Sequence, residues 1–292
     1  MLLPDSILKK VKLLEISTRK LVNTVFAGEY HTAFKGQGMT FSEFREYVPG
    51  DDVRSISWAL TARTGKPYIK KYDEERELTM MLLVDISGSS DFGSGENFKG
   101  EVMIYLAALL AFSAAKNKDQ VGLLLFTDQV EHFVPPAKGQ GHVRRLIRDL
   151  YYHQPQSRGT RLSSAFQYLP GILKKRSVVF IISDFFDEGF DQSLRLLGRR
   201  HDVVAVVVND QAEIEVPDLG VVDLQDAETK EIISVDTSSA SFRNHWKETR
   251  RELIMKRDRL LRQAQVDRVD IDSHGEFIDP LIKFFKMRHR RR

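Results

Sequence analysis

Four unbroken apolar runs dominate the middle of the chain: Met80–Val84, Leu123–Phe126, Val178–Ile182 and Val203–Val208. Runs without polar alternation predict strands covered on both faces, as in a parallel sheet. Between them, residues 99–116 repeat apolar positions at helical spacing (Val102, Leu106, Leu109, Leu110), and 142–152 and 190–200 do so more briefly. Strand and helix in alternation predict an α/β layered sheet. Phe133-Val134, ahead of Pro135-Pro136, reads as the end of a short edge strand. Val221–Leu224 and Ile232–Val235 flank Asp226-Ala227-Glu228-Thr229 as a hairpin within 216–236. A long charged helix is expected over 241–265, a last strand over 266–271, and a closing helix over 280–287 followed by a basic tail, Arg288–Arg292.

The first 77 residues have a different texture. Apolar positions at Ile7, Leu8, Val11, Leu14 and Leu21 predict a helix over 6–22. Short alternating stretches around Ile56 and Ile69, between turns at Pro49-Gly50-Asp51-Asp52 and Thr64-Gly65-Lys66, predict a small antiparallel β unit. The domain reading is therefore 1–77, a helix and β unit, and 78–292, an α/β domain with a hairpin insertion. Arg45, Glu46, Asp51, Asp52, Arg54 and Arg63 are expected to form a paired polar network, with Trp58 in the core.

Composition narrows the chemistry. The 292 residues include no cysteine, which excludes disulfides, thiolate zinc sites and Cys nucleophiles. No apolar run approaches the ~20 residues that span a bilayer, and Lys9, Lys10 and Lys12 fall where a signal peptide would be apolar. A cytoplasmic protein is expected. Net charge is +3, but residues 78–240 carry 16 Lys/Arg against 22 Asp/Glu, and 241–292 carry 15 against 8. The middle is acidic and the end basic.

The strongest local signal is Asp85-Ile86-Ser87-Gly88-Ser89, directly after the first apolar run. It puts a carboxylate and two hydroxyls on one loop, with Gly88 expected to let the loop turn sharply. The loop lies at the carboxyl end of a parallel strand, where open α/β sheets hold ligands. Thr160, ahead of a short helix near 162–169, and Asp184, directly after the third run, offer two more oxygens. If the loops converge, these five oxygens select a hard cation, Mg²⁺, with Mn²⁺ and Ca²⁺ as alternatives. Two carboxylates balance one divalent ion, so such a site welcomes one more carboxylate from outside. The plainer alternative is that the carboxylates cap helices and the serines satisfy loop backbone.

D-x-S-x-S with a later Thr and Asp resembles the metal-ion-dependent adhesion site of von Willebrand factor A domains. Phe41–Gly65, together with Val216-Pro217-Asp218-Leu219-Gly220, Asp226–Thr229 and Val235-Asp236-Thr237, is similar to the bacterial domain-of-unknown-function-58 family. The resemblance covers about residues 25–290. It implies a Rossmann-like sheet of mostly parallel strands and a metal held by Asp85, Ser87, Ser89, Thr160 and Asp184. It also implies work beside a MoxR-type AAA+ ATPase in chaperone-like remodelling or assembly, with a client offering an acidic residue to the metal. Relatives often carry Asp or Asn after the threonine. Arg161 stands there in this chain, a cation that either weakens metal binding or steers an incoming carboxylate.

Enzyme readings find less support. There is no P-loop and no H-x-x-x-H or HExxH pattern. Ser87 takes the place of the second Asp of a phosphoaspartyl phosphatase. Lone histidines such as His132 and His201 are expected at the surface. A metal-dependent phosphate-ester hydrolase using the same oxygens is the alternative, and a nucleic-acid contact through the basic tail is a third reading. A solvated tail is the expectation.

Overall fold

The computed structural model describes residues 30, 33–34, 40–73, 78–93, 98–275 and 277–291. The helix expected over 6–22 lies outside them. Residues 34–78 form one compact unit; Tyr30 and Ala33 belong with residues 79–292 in the other. That differs from a division in which everything before 78 stays together. The reason is local: Tyr30 is buried, its ring meets Phe285 edge-on at 6.0 Å, and its hydroxyl donates to Asp119 (3.2 Å).

In the smaller unit, β1 (Thr40–Glu46) pairs antiparallel with β2 (Tyr68–Asp73), as the turn signals imply. The stretch after Ile56, read as alternating strand, is instead a short helix, α1 (Trp58–Thr64), closed by Gly65 in the left-handed region at φ 75°. Trp58 starts that helix and is 68 % exposed, not core. The polar network is partial: Arg45 pairs with Asp51 (2.8 Å) and Asp52 accepts from the Arg54 N–H (2.9 Å), whereas Glu46 takes Lys66 (3.3 Å).

The larger unit is built on a six-stranded sheet. Its strands are β3 (Thr79–Asp85), β4 (Gln120–Phe126), β5 (Val130–Ala137), β6 (Val178–Ser183), β7 (Asp202–Asn209) and β10 (Asp267–Asp272). Their order is β10-β7-β6-β3-β4-β5, all parallel except β5, which returns antiparallel at the edge. The expected Rossmann-like, mostly parallel sheet is therefore present. The four apolar runs are its central strands, buried along nearly their whole length. The edge strand β5 passes through Pro135-Pro136 to Ala137, further than expected, because an edge strand need not use every N–H in a ladder.

Alternate residues of these strands serve two layers. Met81, Leu83, Ile181 and Val207 pack with Leu162, Phe166 and Leu169 of α4 (Leu162–Ile172), Leu194 and Leu197 of α5 (Asp191–Arg200) and Leu261 of α7 (Ala240–Gln263). α2 (Lys99–Lys116) crosses β3, β4, β6 and β7 and packs on α3 (Gln140–Tyr152). It carries twelve buried residues, as a central helix of a layered domain must. α6 is one turn (Gln211–Ile214) after β7.

The insertion is a two-stranded hairpin, β8 (Val221–Gln225) and β9 (Ile232–Asp236), paired Val221↔Asp236 to Gln225↔Ile232. Its base is clamped by Thr237, which is buried: its hydroxyl donates to Gly220 O (2.7 Å) and accepts from the Leu219 N–H (2.9 Å).

The basic end is helical and only partly solvated, with His289 and Arg290 exposed and Arg288 buried. α8 runs Ile278–Arg291. Arg288 is buried and bridges the strand-start carboxylates Asp202 and Asp267. His201 likewise proves buried: its Nδ1 accepts from the Ser177 N–H (3.3 Å) at the α5–β7 junction. Among the described residues, no helix is long and apolar enough to cross a membrane.

Candidate functional site

Three loops meet at the carboxyl ends of β3, β4 and β6. After β3, Asp85 is buried at the strand's last position. Its Oδ1 accepts from the Ser87 N–H (3.0 Å) and its Oδ2 from the Ser183 hydroxyl (2.6 Å), so the end of β6 fixes the carboxylate at the end of β3. Ser87 and Ser89 turn their hydroxyls together, 3.2 Å apart, and Ser89 also hydrogen-bonds Asp184. Asp85, Ser87, Ser89 and Asp184 are thus brought together, while Thr160 is held elsewhere.

Asp184 is aimed by an unusual turn. Phe185, next in the chain, has φ 59°, the left-handed region that a non-glycine residue occupies at a cost of about 1 kcal/mol or more. The strain is held by packing: the Phe185 ring is buried against Phe190, and its N–H donates to the Ser183 hydroxyl (3.0 Å).

The third loop is pinned to the first by the Gly88 N–H, which donates to Arg158 O (2.8 Å). Thr160 on this loop behaves differently from the other four. Its hydroxyl donates to Glu228 Oε1 (2.7 Å), from the tip of the β8–β9 hairpin. Gly88 has no positive φ, so the sharp turn expected of it is not its role. A Cβ there would stand 2.3 Å from Ala227 O, so the glycine is what lets the hairpin tip lie against the loop. Arg161 is exposed, and its charge acts on Asp187.

Sequence reasoning missed the cationic half of the site. Lys99, at the start of α2, is fully buried, with its Nζ 2.7 Å from Asp184 Oδ2 and 2.9 Å from Glu213 Oε1 of α6. Burial opposes its charge, but the two carboxylates outweigh that and hold its pKa above the ordinary lysine value. Burial also works against Asp184, yet Lys99 overrides it and keeps the carboxyl below its usual range. Glu213 goes the other way, raised because its burial exceeds what Lys99 returns. Arg257 of α7, also buried, donates to Asp184 O (3.0 Å) and Asn209 Oδ1 (2.8 Å), tying the β6 and β7 ends together. No spacing signals these contacts, because Lys99 lies 85 and 114 residues from its partners.

Among the described residues, no cation pairs with Asp85 in this way. Burial, and then the neighbouring Asp184 carboxylate, push its pKa up to about 6. Formally, the single Lys99 cation, shared by Asp184 and Glu213, offsets one of the three carboxylates Asp85, Asp184 and Glu213 and leaves two negative charges at the strand ends. Hard oxygens, two of them serine hydroxyls, around an under-compensated pair of carboxylates fit a Mg²⁺-like cation. Among the described residues, no group of three or more His, Asp or Glu side chains is arranged to hold a metal ion. A cation here would rely on hydroxyls as much as on charge.

The family described as "Protein of unknown function DUF58" matches residues 43–254. The uncharacterized protein Rv1480 of Mycobacterium tuberculosis is 33% identical over 222 residues, covering 75% of this chain and 70% of that one. The uncharacterized protein MAV169 of Mycobacterium avium is 28% identical over 160 residues, covering 54% of this chain and 94% of its own length. Among solved structures, BatB from Bacteroides thetaiotaomicron is similar at a TM-score of 0.48 and 14% identity, over 73% of this chain and 99% of that one. The SpRpn10 VWA domain is similar at 0.41 and 11%, over 71% and 94%. With the family match spanning most of its length, the chain belongs to the DUF58 family.

Proposed function

We propose that this protein is a non-enzymatic interaction module whose strand-end site binds a hard divalent cation, Mg²⁺ before Mn²⁺ or Ca²⁺, and through it an acidic residue of another protein. Asp85, Ser87, Ser89, Thr160 and Asp184 would hold the ion, which supplies an electrophilic point for carboxylate capture. The chain's own residues do the rest. Ser183 orients Asp85, Lys99 and Arg257 fix Asp184 and its backbone, and Phe185 sets the turn that aims it.

The observation that carries this reading is the buried pair Asp85 and Asp184, with Asp85 pushed up to about 6 by burial and by its neighbour. Two desolvated carboxylates at the mouth of a parallel sheet store repulsion that a dication relieves. In this reading the protein acts as an adaptor or co-chaperone. It recognises clients while a MoxR-type AAA+ ATPase performs the work of remodelling or assembly.

The test uses purified protein. Mg²⁺ or Mn²⁺ should raise the melting temperature of the wild type and leave Asp85→Ala unmoved. Binding to the purified MoxR-type ATPase of the same organism should be lost in chelator. A wild type that ignores both ions refutes the metal; ATPase binding indifferent to chelator refutes its role in docking.

A further inference from the structure

Thr160 is the proposed ligand whose hydroxyl is held by a carboxylate from outside the strand ends. Glu228 Oε1 sits 2.7 Å from Thr160 Oγ1, delivered by a hairpin tip that is itself preformed. Asp226 Oδ1 accepts from the Glu228 N–H (3.0 Å), the Thr229 N–H (2.7 Å) and the Thr229 hydroxyl (3.0 Å). That three-donor turn presents Glu228 in a fixed direction. The backbone beneath it confirms the fit, since Ala227 O occupies the space a Cβ on Gly88 would need. The charge of Arg250 on α7 favours the ionised forms of both Asp226 and Glu213.

Charge and stability point the same way. A dication balanced by Asp85 and Asp184 can still accept one more carboxylate among its neutral hydroxyl donors, and Glu228 is already bonded to one of those hydroxyls. The hairpin, meanwhile, is weakly anchored. Val222, Leu224 and Val235 are only half-buried and Val221, Ile232 and Ile233 are 74%, 62% and 57% exposed, so no fully buried apolar side chain of β8 or β9 holds it down. Segments with few buried contacts open at low free-energy cost.

We propose that Glu228 is the site's built-in carboxylate ligand, and that the β8–β9 hairpin must lift to admit an acidic residue from a partner. The proposal rests on the docking reading above and adds its regulation: the closed hairpin is a self-bound state, and a partner competes with Glu228 rather than entering an open site.

The test compares wild type, Glu228→Gln and the control Glu231→Gln, which makes the same charge change on the same hairpin. Free Mn²⁺ is followed by electron paramagnetic resonance, and amide exchange is followed over residues 221–236. In wild type and the control, Mn²⁺ should slow exchange across the hairpin. In Glu228→Gln, Mn²⁺ affinity should fall roughly tenfold or more, the usual cost of deleting a supporting contact at a metal site, and the Mn²⁺-dependent slowing should vanish. If wild type binds Mn²⁺ and Glu228→Gln matches it in either readout, the proposal is overturned while the docking reading stands. If wild type binds no Mn²⁺, both fall.

Discussion

Replacing Lys99 with Met tests the electrostatics of the strand ends. The substitution keeps the stem that begins α2 and removes only the ammonium. Lys99 and Asp184 side chains are 0% and 2% exposed and Glu213 is 12% exposed, so the carboxylates left behind cannot recover hydration. Breaking a buried ion pair from one side costs about 3–5 kcal/mol, because a bare charge remains in the interior. At about 2–4 °C per kcal/mol for a domain of this size, melting falls by roughly 6–20 °C. Denaturant unfolding at neutral pH is the assay, with Asp184→Asn and the double variant alongside. Removing both charges relieves the bare carboxylate, so the double variant should lose less than the sum of the singles. Losing the competing ammonium should also strengthen Mg²⁺ binding. A Lys99→Met cost below about 1 kcal/mol, or strict additivity in the double variant, would refute the claim that Lys99 neutralises Asp184.

Other outcomes follow from single contacts. Ser183→Ala removes the hydroxyl that donates to Asp85 Oδ2, and calorimetry should show Mg²⁺ affinity down about 10–100-fold with the fold retained; unchanged affinity would mean Asp85 is oriented by other means. Gly88→Ala places a Cβ against Ala227 O and Arg158 O, both backbone and unable to swing away. Proteolysis should then cut the 226–230 tip faster, and an uncut tip would show that the hairpin does not rest there. His201 is held below its ordinary pKa by burial, then by Arg200 and Arg176, so the folded protein binds fewer protons there than the unfolded chain. Its contribution to stability is therefore present above about pH 6.5 and is lost as pH falls below that value. The stability difference between wild type and His201→Gln should shrink on acidification from about pH 7 to about pH 5, and a constant difference would contradict the assignment.

The sheet was legible because its central strands are buried on both faces and so cannot alternate. Met80–Val84 and Val203–Val208 announce themselves without any partner being known. The D-x-S-x-S loop was legible for a similar reason: its hydroxyls and carboxylate lie within five residues and a single loop brings them together. What escaped notice depends on distance in sequence. Lys99 looks like any helix-start lysine until α2 lays it between Asp184 and Glu213. Gly88 reads as a turn residue until a hairpin 139 positions downstream settles on it. Arg288 belongs to a run of arginines that suggests solvent, yet the strand-start carboxylates Asp202 and Asp267 draw it inside. Trp58 misled in the opposite sense, since a large ring in a short helix of a small unit has little to pack under.

Calorimetric titration of the chelator-treated wild type with Mg²⁺ and Mn²⁺, beside Asp85→Asn, addresses the central claim most directly. The account predicts one saturable site in the wild type, with stabilisation of about 2.7 kcal/mol once the ion reaches a hundred times its Kd. In Asp85→Asn, which keeps the shape and removes the charge, both heat and stabilisation should disappear. Saturable binding of equal strength in the two proteins, or none in the wild type, would contradict it.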